Sequence, residues 1–368
     1  MKEKDTFLIL AYCPVRNRQG IDLNEMLNFR HFNSKLIQIG GKDDPEQKTI
    51  GIPVSPDVSG WRMRFVSRWA RWQMFWKGCY NPHKITIAIN IPALLSAIVL
   101  KLIFKSKLIF YSLEYHTLKP IDRLLLRRFC DAVIDVEETR RVLFLKQIGK
   151  ALPSFILHNV PHYVDLGHLT PKLREWLIDN MQFRGDEFLV IYSGSYQKYC
   201  NLESIFEWAE DLSGHVRLIV LLTEIPESIK VERYKKTVFL PSKNHNELYN
   251  WLVDADLSLL PYESDEDNVR YCSPQKIFDA LACGVPIMGS RRPLIELVTK
   301  KYHCGLTIDF TNENEFLKGV EWFAGQSRLT MRQNARAAHA EYNYGQYSSR
   351  LLSFINGLEG QARCETVK

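Results

Sequence analysis

The chain has 368 residues, of which 46% are hydrophobic and 24% charged. That length exceeds one ordinary core and suits two domains of about 150 to 200 residues each, and the composition excludes fibrous and disordered classes. The net charge of +6 is modest for this length, so charge alone gives no support to nucleic-acid binding.

In chain order, Thr6–Tyr12 is a short apolar run with the length of a buried parallel strand, and Lys35–Ile39 is a weaker one. Trp61 to Trp76 has helical spacing. The longest apolar run, Ile85 to Phe104, is broken by Asn90, Pro92, Ser96 and Lys101. It reads as a strand, Ile85–Ile89, then a buried helix, Ala93–Phe104, and not as a membrane span. Lys107–Tyr111 is a strand, Ile121–Phe129 a helix and Ala132–Val136 a strand. After Asn159-Val160-Pro161 the pattern breaks into a polar stretch ending at Arg184-Gly185-Asp186. Alternation then restarts with strands Phe188–Tyr192, Val216–Leu222, Asp256–Pro261 and Val285–Gly289, and helices Leu202–Leu212, Glu247–Val253 and Pro274–Cys283. Such alternation means α/β domains, each a parallel sheet covered by helices. The expected division is 1–160 and 161–340, with helical Gln333–His339 and a last helical segment from 341 to 368.

The eight cysteines, at 13, 79, 130, 200, 272, 283, 304 and 364, form no CxxC pair and no zinc-spaced cluster. The start Met1-Lys2-Glu3-Lys4-Asp5 lacks a secretory pattern. Reduced thiols in a cytoplasmic protein are therefore expected. Neither half carries GxGxxG after its first strand, which disfavours a nicotinamide or flavin enzyme.

The segment Tyr271–Ser290 carries most chemistry. Ser273 reads as a helix N-cap, Pro274 as the first helical residue and Gly284 as the stop. A helix opening there aims free N–H groups and its positive dipole end at the preceding loop, a site for phosphate. Lys276 adds a cation one turn in, and Asp279 shares its face at i+3, placed to accept from ribose hydroxyls. The plainer reading is a surface ion pair between the two.

The surroundings of that helix favour the first reading. The residues Glu247-Leu248-Tyr249-Asn250-Trp251-Leu252, Ala255-Asp256, Pro261-Tyr262, Ser273-Pro274, Lys276, Phe278-Asp279, Leu281-Ala282, Gly284-Val285-Pro286-Ile287 and Cys304-Gly305 resemble the donor half of GT-B glycosyltransferases. The resemblance is to the large retaining family 4 and spans roughly residues 186–310; the first half is similar in layout, and in the linker His158-Asn159-Val160-Pro161. It implies two Rossmann-like domains facing a cleft, the first binding acceptor and the second a nucleotide sugar, with the last helix crossing back. It also implies a retaining, metal-independent sugar transfer. Its ribose-binding acid falls on Asp279, shortened from Glu, and its second acid on Tyr271, a departure. The cations that neutralise the diphosphate correspond to Ser195 and Lys198 in Gly194-Ser195-Tyr196-Gln197-Lys198, with Arg270 near enough in sequence to replace the missing arginine. Two acidic triplets bear on a metal. Asp254-Ala255-Asp256 leads into a strand and reads as structural, and Asp265-Glu266-Asp267 reads as a solvated loop or a cation site.

In the first half, Glu114 and His116 end a strand, where open α/β sheets bind ligands; they are candidates for acceptor contact or proton handling, or structural. The loop Cys13–Leu23, with Arg16, Arg18 and Gly20, is the acceptor-facing loop of this fold. Trp61, Phe65, Trp69, Trp72 and Trp76 share one helical face, accompanied by Arg62, Arg64, Arg68, Arg71 and Lys77, and from Val58 to Leu113 nine Lys or Arg meet no acid. That pattern fits either a helix lying on an anionic membrane or an aromatic face packed on the sheet. A membrane face points to a lipid-linked saccharide acceptor, in cell-surface polysaccharide or glycoconjugate synthesis. Two other readings stay open: a sugar-nucleotide epimerase, and a catalytically silent subunit, favoured by Tyr271 and Ser195 where the family has charge.

Overall fold

The computed structural model describes residues 6–12, 18–29, 33–39, 44–46, 48–52, 60–115, 117–161, 169–181, 183–242 and 245–365. It divides into two compact units, one of residues 1–158 with 344–368 and one of residues 159–343.

Unit 1 runs β1 (Thr6–Tyr12), α1 (Arg18–Phe29), β2 (Asn33–Ile39), β3 (Thr49–Ile52), α2 (Gly60–Cys79), β4 (Ile85–Ile89), α3 (Ile91–Phe104), β5 (Lys107–Ser112), α4 (Pro120–Phe129), β6 (Ala132–Asp135), α5 (Glu138–Ile148) and β7 (Ser154–Ile156). Its seven strands are parallel in the order β3-β2-β1-β4-β5-β6-β7. All five residues of β4 are buried, as befits a central strand with both faces covered. Leu8, Leu10, Ala88, Leu108, Phe110 and Val133 build the core with Ala97 and Leu100 of α3 and Phe144 of α5.

One feature of this core is polar. Arg140 of α5 is fully buried and meets Asp135, at the end of β6, with Nε 3.1 Å from Oδ1. Its Nη2 also donates to the Ser112 carbonyl at 2.7 Å. Burial pushes the Asp135 carboxyl up to about 6, against the opposing pull of Arg140. The pair ties the carboxyl ends of β5 and β6 to the first turn of α5.

Unit 2 runs α6 (Leu173–Asn180), β8 (Phe188–Gly194), α7 (Leu202–Ala209), β9 (Val216–Leu222), β10 (Thr237–Pro241), α8 (His245–Leu252), β11 (Leu257–Leu260), α9 (Asp267–Arg270), α10 (Gln275–Ala282), β12 (Ile287–Ser290), α11 (Pro293–Tyr302), β13 (Gly305–Ile308), α12 (Glu313–Ala324) and α13 (Arg328–Glu341). Its six strands are parallel in the order β10-β9-β8-β11-β12-β13. Strand order reverses between β8 and β11, the switch point outside whose carboxyl ends such sheets bind ligands. The final helix, α14 (Tyr344–Glu365), belongs to unit 1, where Phe354 stacks on Phe155 at 5.5 Å and Lys107 donates to the Leu358 carbonyl.

The polar stretch read after Pro161 in fact contains α6. Leu173 and Leu177 supply its buried stripe at i and i+4, and the Asp254 carboxylate accepts the Leu173 and Arg174 N–H groups that open it. Two buried positions in an eight-residue helix give too short a stripe to stand out from the polar stretch around it, and the capping acid lies far off in sequence. Asp256 accepts from Leu189 N–H at 2.8 Å and pairs with Arg174, so the Asp254-Ala255-Asp256 triplet is structural, as read.

Candidate functional site

The site is built where the unit 2 sheet switches direction. β8 ends at Gly194, whose φ is +147°. β11 ends at Leu260 and continues into Pro261-Tyr262, and α10 points its N-terminus toward the same edge. Lys276, in the first turn of α10, reaches back to this edge. Its Nζ lies 4.6 Å from the centre of the Tyr192 ring and 5.9 Å from that of Tyr262, and donates to the Tyr192 hydroxyl at 3.4 Å. That hydroxyl donates to the Ser195 carbonyl at 2.8 Å. Tyr199 stacks on Tyr262 at 6.1 Å.

The amine of Lys276 thus sits in a cage of phenol faces, and among the described residues no carboxylate lies within ion-pair distance of it. Asp279 does not pair with it: that side chain is buried and accepts from the Tyr249 hydroxyl at 2.8 Å. The plainer surface ion pair is therefore absent. Burial lowers the Lys276 pKa below its ordinary 10.5, with partial relief from Cys200 and Asp279. A lysine without an acid, in aromatic surroundings and next to open helix N–H groups, is a receptor for an anion.

The pH dependence follows in sign. The unfolded chain holds the Lys276 proton up to its ordinary 10.5, and the folded chain loses it earlier, so this group adds stability as pH rises through that window. Anion affinity runs the other way. We expect the dissociation constant of a nucleoside diphosphate, titrated from neutral pH upward, to begin rising at a lower pH than an exposed lysine would give, because burial lowers the Lys276 pKa.

Gly194 is required by this packing. A Cβ there would stand 2.6 Å from Lys276 Cε and closer still to Nζ, at a φ that other residues rarely adopt. Gly194→Ala is expected to cost about 1–3 kcal/mol and to displace the amine, read as a lower melting temperature together with weakened nucleotide binding.

The head of α10 differs from expectation. Pro274 occupies the cap position with no side-chain cap hydrogen bond, and the helix begins at Gln275. Ser273 is buried and turned to the linker: its carbonyl accepts from Asn159 Nδ2 at 2.7 Å and its hydroxyl from Asn159 N–H at 3.4 Å. Proline fits the cap because it has no N–H to satisfy, and the first helical N–H groups keep no side-chain acceptor. Gly284, with φ +68°, ends the helix as read.

The structure brings Gly194, Ser195, Lys276 and the Ser273-Pro274 turn to one edge. Lys198 is exposed in a short turn beyond β8. Arg270, exposed, rests its guanidinium 5.6 Å from the centre of the Tyr271 ring. Asp265, Glu266 and Asp267 are exposed.

In unit 1, Glu114 is exposed just past β5, and its backbone N–H, with that of Leu113, donates to Asn90 Oδ1 at 3.1 Å. His116 and Arg16 lie outside the described residues, as do the side chains of Trp61 and Arg64. Arg18 and Gly20 belong to helix α1, so the expected loop is shorter; Asn17 directly before Arg18, and Leu23, Met26 and Leu27 at i, i+3 and i+4, were the available signals.

Trp69, Trp72 and Trp76 are 52%, 52% and 44% exposed. Trp69 stacks on Trp72 at 5.0 Å, and Trp72 meets Trp76 edge-on at 5.7 Å. The opposite face, with Ala70 and Met74, is buried. Trp69, Trp72 and Trp76 of the α2 stripe therefore face outward, with exposed Arg68 beside them, and for these three the reading in which they pack on the sheet fails. Among the described residues no helix is long and apolar enough to cross a membrane.

The aromatic wall of the cage escaped sequence reading. Tyr192 ends an apolar run and counts there as core, and Tyr262 belongs to a quoted motif without a role. Polar-tipped aromatics at the carboxyl ends of two strands flanking a switch point were the available signal.

No family model matches the chain, and no curated protein matches it. Solved structures do. Sucrose-phosphate synthase from Thermosynechococcus elongatus superposes with a TM-score of 0.74 at 13% identity, over 97% of this chain and 100% of that one. A glycosyltransferase from Rickettsia africae gives 0.77 at 11%, over 97% and 99%. HepE from Anabaena, solved in complex with UDP and glucose, gives 0.68 at 12%, over 96% and 100%. Identities this low establish the fold, two parallel-sheet Rossmann-like domains in the GT-B architecture.

Proposed function

We propose that the chain is a glycosyltransferase that takes a sugar from a nucleoside diphosphate sugar held in unit 2. The observation that carries this reading is Lys276, a caged lysine that meets no acid partner among the described residues, at the β8/β11 switch point. In the transfer, the bond from the anomeric carbon to the diphosphate oxygen breaks, the acceptor oxygen forms the new glycosidic bond, and the acceptor proton leaves. Negative charge grows on the departing diphosphate. Lys276 and the N-terminus of α10 are fixed donors for that charge and need no reorganisation as it develops. Lys198 and Arg270 are proposed as further cations for the diphosphate. The Asp279 carboxylate, oriented by Tyr249, is the candidate partner for ribose hydroxyls, with Gly194, Ser195, Tyr271, Ser273 and Pro274 lining the donor. Glu114 and His116 are proposed on the acceptor side, with the Arg16, Arg18 and Gly20 stretch. Retention of configuration and independence of metal follow from the family 4 resemblance.

The test is release of nucleoside diphosphate from a panel of UDP-, GDP-, dTDP- and ADP-sugars offered with saccharide acceptors. UDP-sugars come first, because HepE, of similar fold, was solved with UDP. Product that keeps the donor's anomeric configuration supports retention. Conversion of the donor to an epimer with no acceptor present would select the epimerase reading.

The acceptor proposed is lipid-linked, at an anionic membrane surface. The support is the outward stripe of α2, next to the exposed Leu102 and Ile103 of α3 and the acid-free stretch that holds both helices. Exposed tryptophans beside arginines suit the headgroup region of a bilayer. Trp69, Trp72 and Trp76 replaced together by serine are expected to cut sedimentation with phosphatidylserine vesicles about tenfold, with an unchanged melting temperature. Equal sedimentation of both proteins would remove the membrane from the proposal.

A further inference from the structure

Lys276 meets two phenol rings that are held in different ways. Tyr192 lies within β8 and is fixed by the ladder, in register with Val220 of β9. Tyr262 lies two residues past the end of β11, beyond the paired residues of that strand. It is buried, and the Lys276 amine stands 5.9 Å from the centre of its ring. A residue outside the ladder has no strand partner for its N–H and carbonyl, so other groups must take them.

Two buried side chains do so. The Tyr262 N–H donates to Ser290 Oγ at 2.7 Å, and the Tyr262 carbonyl accepts from Arg292 Nε at 2.6 Å and from Nη2 of the same guanidinium. Both side chains lead to one carboxylate. Ser290 Oγ donates to Glu263 Oε1 at 2.6 Å, and Arg292 Nη2 lies 3.7 Å from Glu263 Oε2. Glu263 Oε1 also accepts the Phe310 N–H at 3.1 Å, and the Glu263 N–H donates to the Tyr199 carbonyl at 2.6 Å. Tyr199 in turn stacks on the Tyr262 ring.

Glu263 therefore joins the exits of β11, β12 and β13 to the turn that follows β8. Partly burying a carboxylate and a guanidinium costs desolvation, and such a pair adds little stability over apolar packing. What it adds here is geometry, at one wall of the Lys276 cage.

We propose that Glu263 is a positioning residue of the donor site: through Ser290 and Arg292 it sets the Tyr262 ring against Lys276, which keeps water from the amine and aims it at the diphosphate. The role deepens the donor reading and rests on it. Glu263 acts through the ring and not by contact with the diphosphate.

The amine of Lys276 reports the ring directly. Burial lowers its pKa below 10.5, and Cys200, Asp279 and Cys272 act in the opposite sense. In the full chain labelled with carbon-13 at lysine Cε, the Lys276 signal is identified by its absence in Lys276→Met and followed against pH. Glu263→Ala is expected to raise the Lys276 midpoint toward 10.5, because a displaced ring lets water reach the ammonium. Losing a negative charge can by itself only lower the pKa of a lysine, so the sign separates ring displacement from the lost charge. Ser290→Ala changes no charge and cuts only the relay to the Tyr262 N–H. It should move the midpoint the same way, and it serves alone if Glu263→Ala does not fold. In both variants the dissociation constant of UDP at neutral pH should rise about tenfold.

An unchanged Lys276 midpoint overturns the proposal, and a lower melting temperature beside it would mark Glu263 as a packing residue. A raised midpoint with parental UDP affinity overturns it as well. A parent chain that bound no UDP, GDP, dTDP or ADP would overturn the donor reading and this role with it. That failure is told apart from the others, because the midpoint is read without nucleotide.

Discussion

Replacing Lys276 by methionine is expected to weaken nucleotide binding by about one to two orders of magnitude and to leave the fold as stable as before, or more so. Methionine keeps the apolar length of the side chain, so the contacts with the Tyr192 and Tyr262 rings survive. What it removes is an ammonium with no carboxylate partner among the described residues, and burial already opposes that charge. An ordinary core residue behaves in the opposite way, since truncation there lowers stability. A charge-assisted hydrogen bond to phosphate is worth about 1.5–3 kcal/mol, so the dissociation constant of a nucleoside diphosphate should rise about 10- to 150-fold. Calorimetric titration and thermal unfolding of the same preparation read both quantities. A variant that lost stability and kept nucleotide affinity would show Lys276 to be a packing residue.

The opposite pattern is expected at Arg140. Arg140→Met leaves Asp135 wholly buried without its cation and removes the donor of the Ser112 carbonyl. Breaking a buried pair from one side costs about 3–5 kcal/mol, a large share of the stability of a domain. Asp135 then folds only as the neutral acid. The folded carboxyl already titrates near 6, above the unfolded 3.8, so stability from this group falls as pH rises through that interval. The variant should lose most of its stability above this window and recover part of it in acid. Removing both charges, Arg140→Met with Asp135→Leu, should restore stability toward the parent, because the desolvation penalty goes with them. Urea unfolding at two pH values separates these outcomes. Equal stability of the single and double variants would mean that the pair is not coupled.

The strands that carry the two sheets were legible because buried parallel strands are continuous apolar runs. Thr6–Tyr12, Ile85–Ile89 and Val216–Leu222 match their observed limits. Edge and short elements were not legible. β3, β7, β10 and β13 are the end strands of the two sheets, where a strand need not be the continuous apolar run of one covered on both sides. Helix α5 was hidden by the buried Arg140, a charge whose partner at Asp135 only the fold reveals. At the candidate site, Lys276 was legible through its place at the start of a helix ended by Gly284. Its lack of an acid was not, because spacing puts Asp279 on its face, while the fold turns that carboxylate to Tyr249, twenty-seven positions earlier than Lys276 in the chain. The missing cap is a similar case. Ser273 has the right chemistry for an N-cap, but the linker amide of Asn159 engages it instead.

The central claim is that unit 2 receives a nucleoside diphosphate at Lys276, and a thermal-shift comparison of the parent chain with Lys276→Met, across UDP, GDP, dTDP, CMP and ADP and the sugars they carry, tests it most directly. A ligand at one hundred times its dissociation constant adds about 2.7 kcal/mol of stability. The prediction is a clear rise in melting temperature with one base for the parent and a rise of at most about half that stabilisation for the variant. Either no rise with any nucleotide, or an equal rise in both proteins, would contradict it.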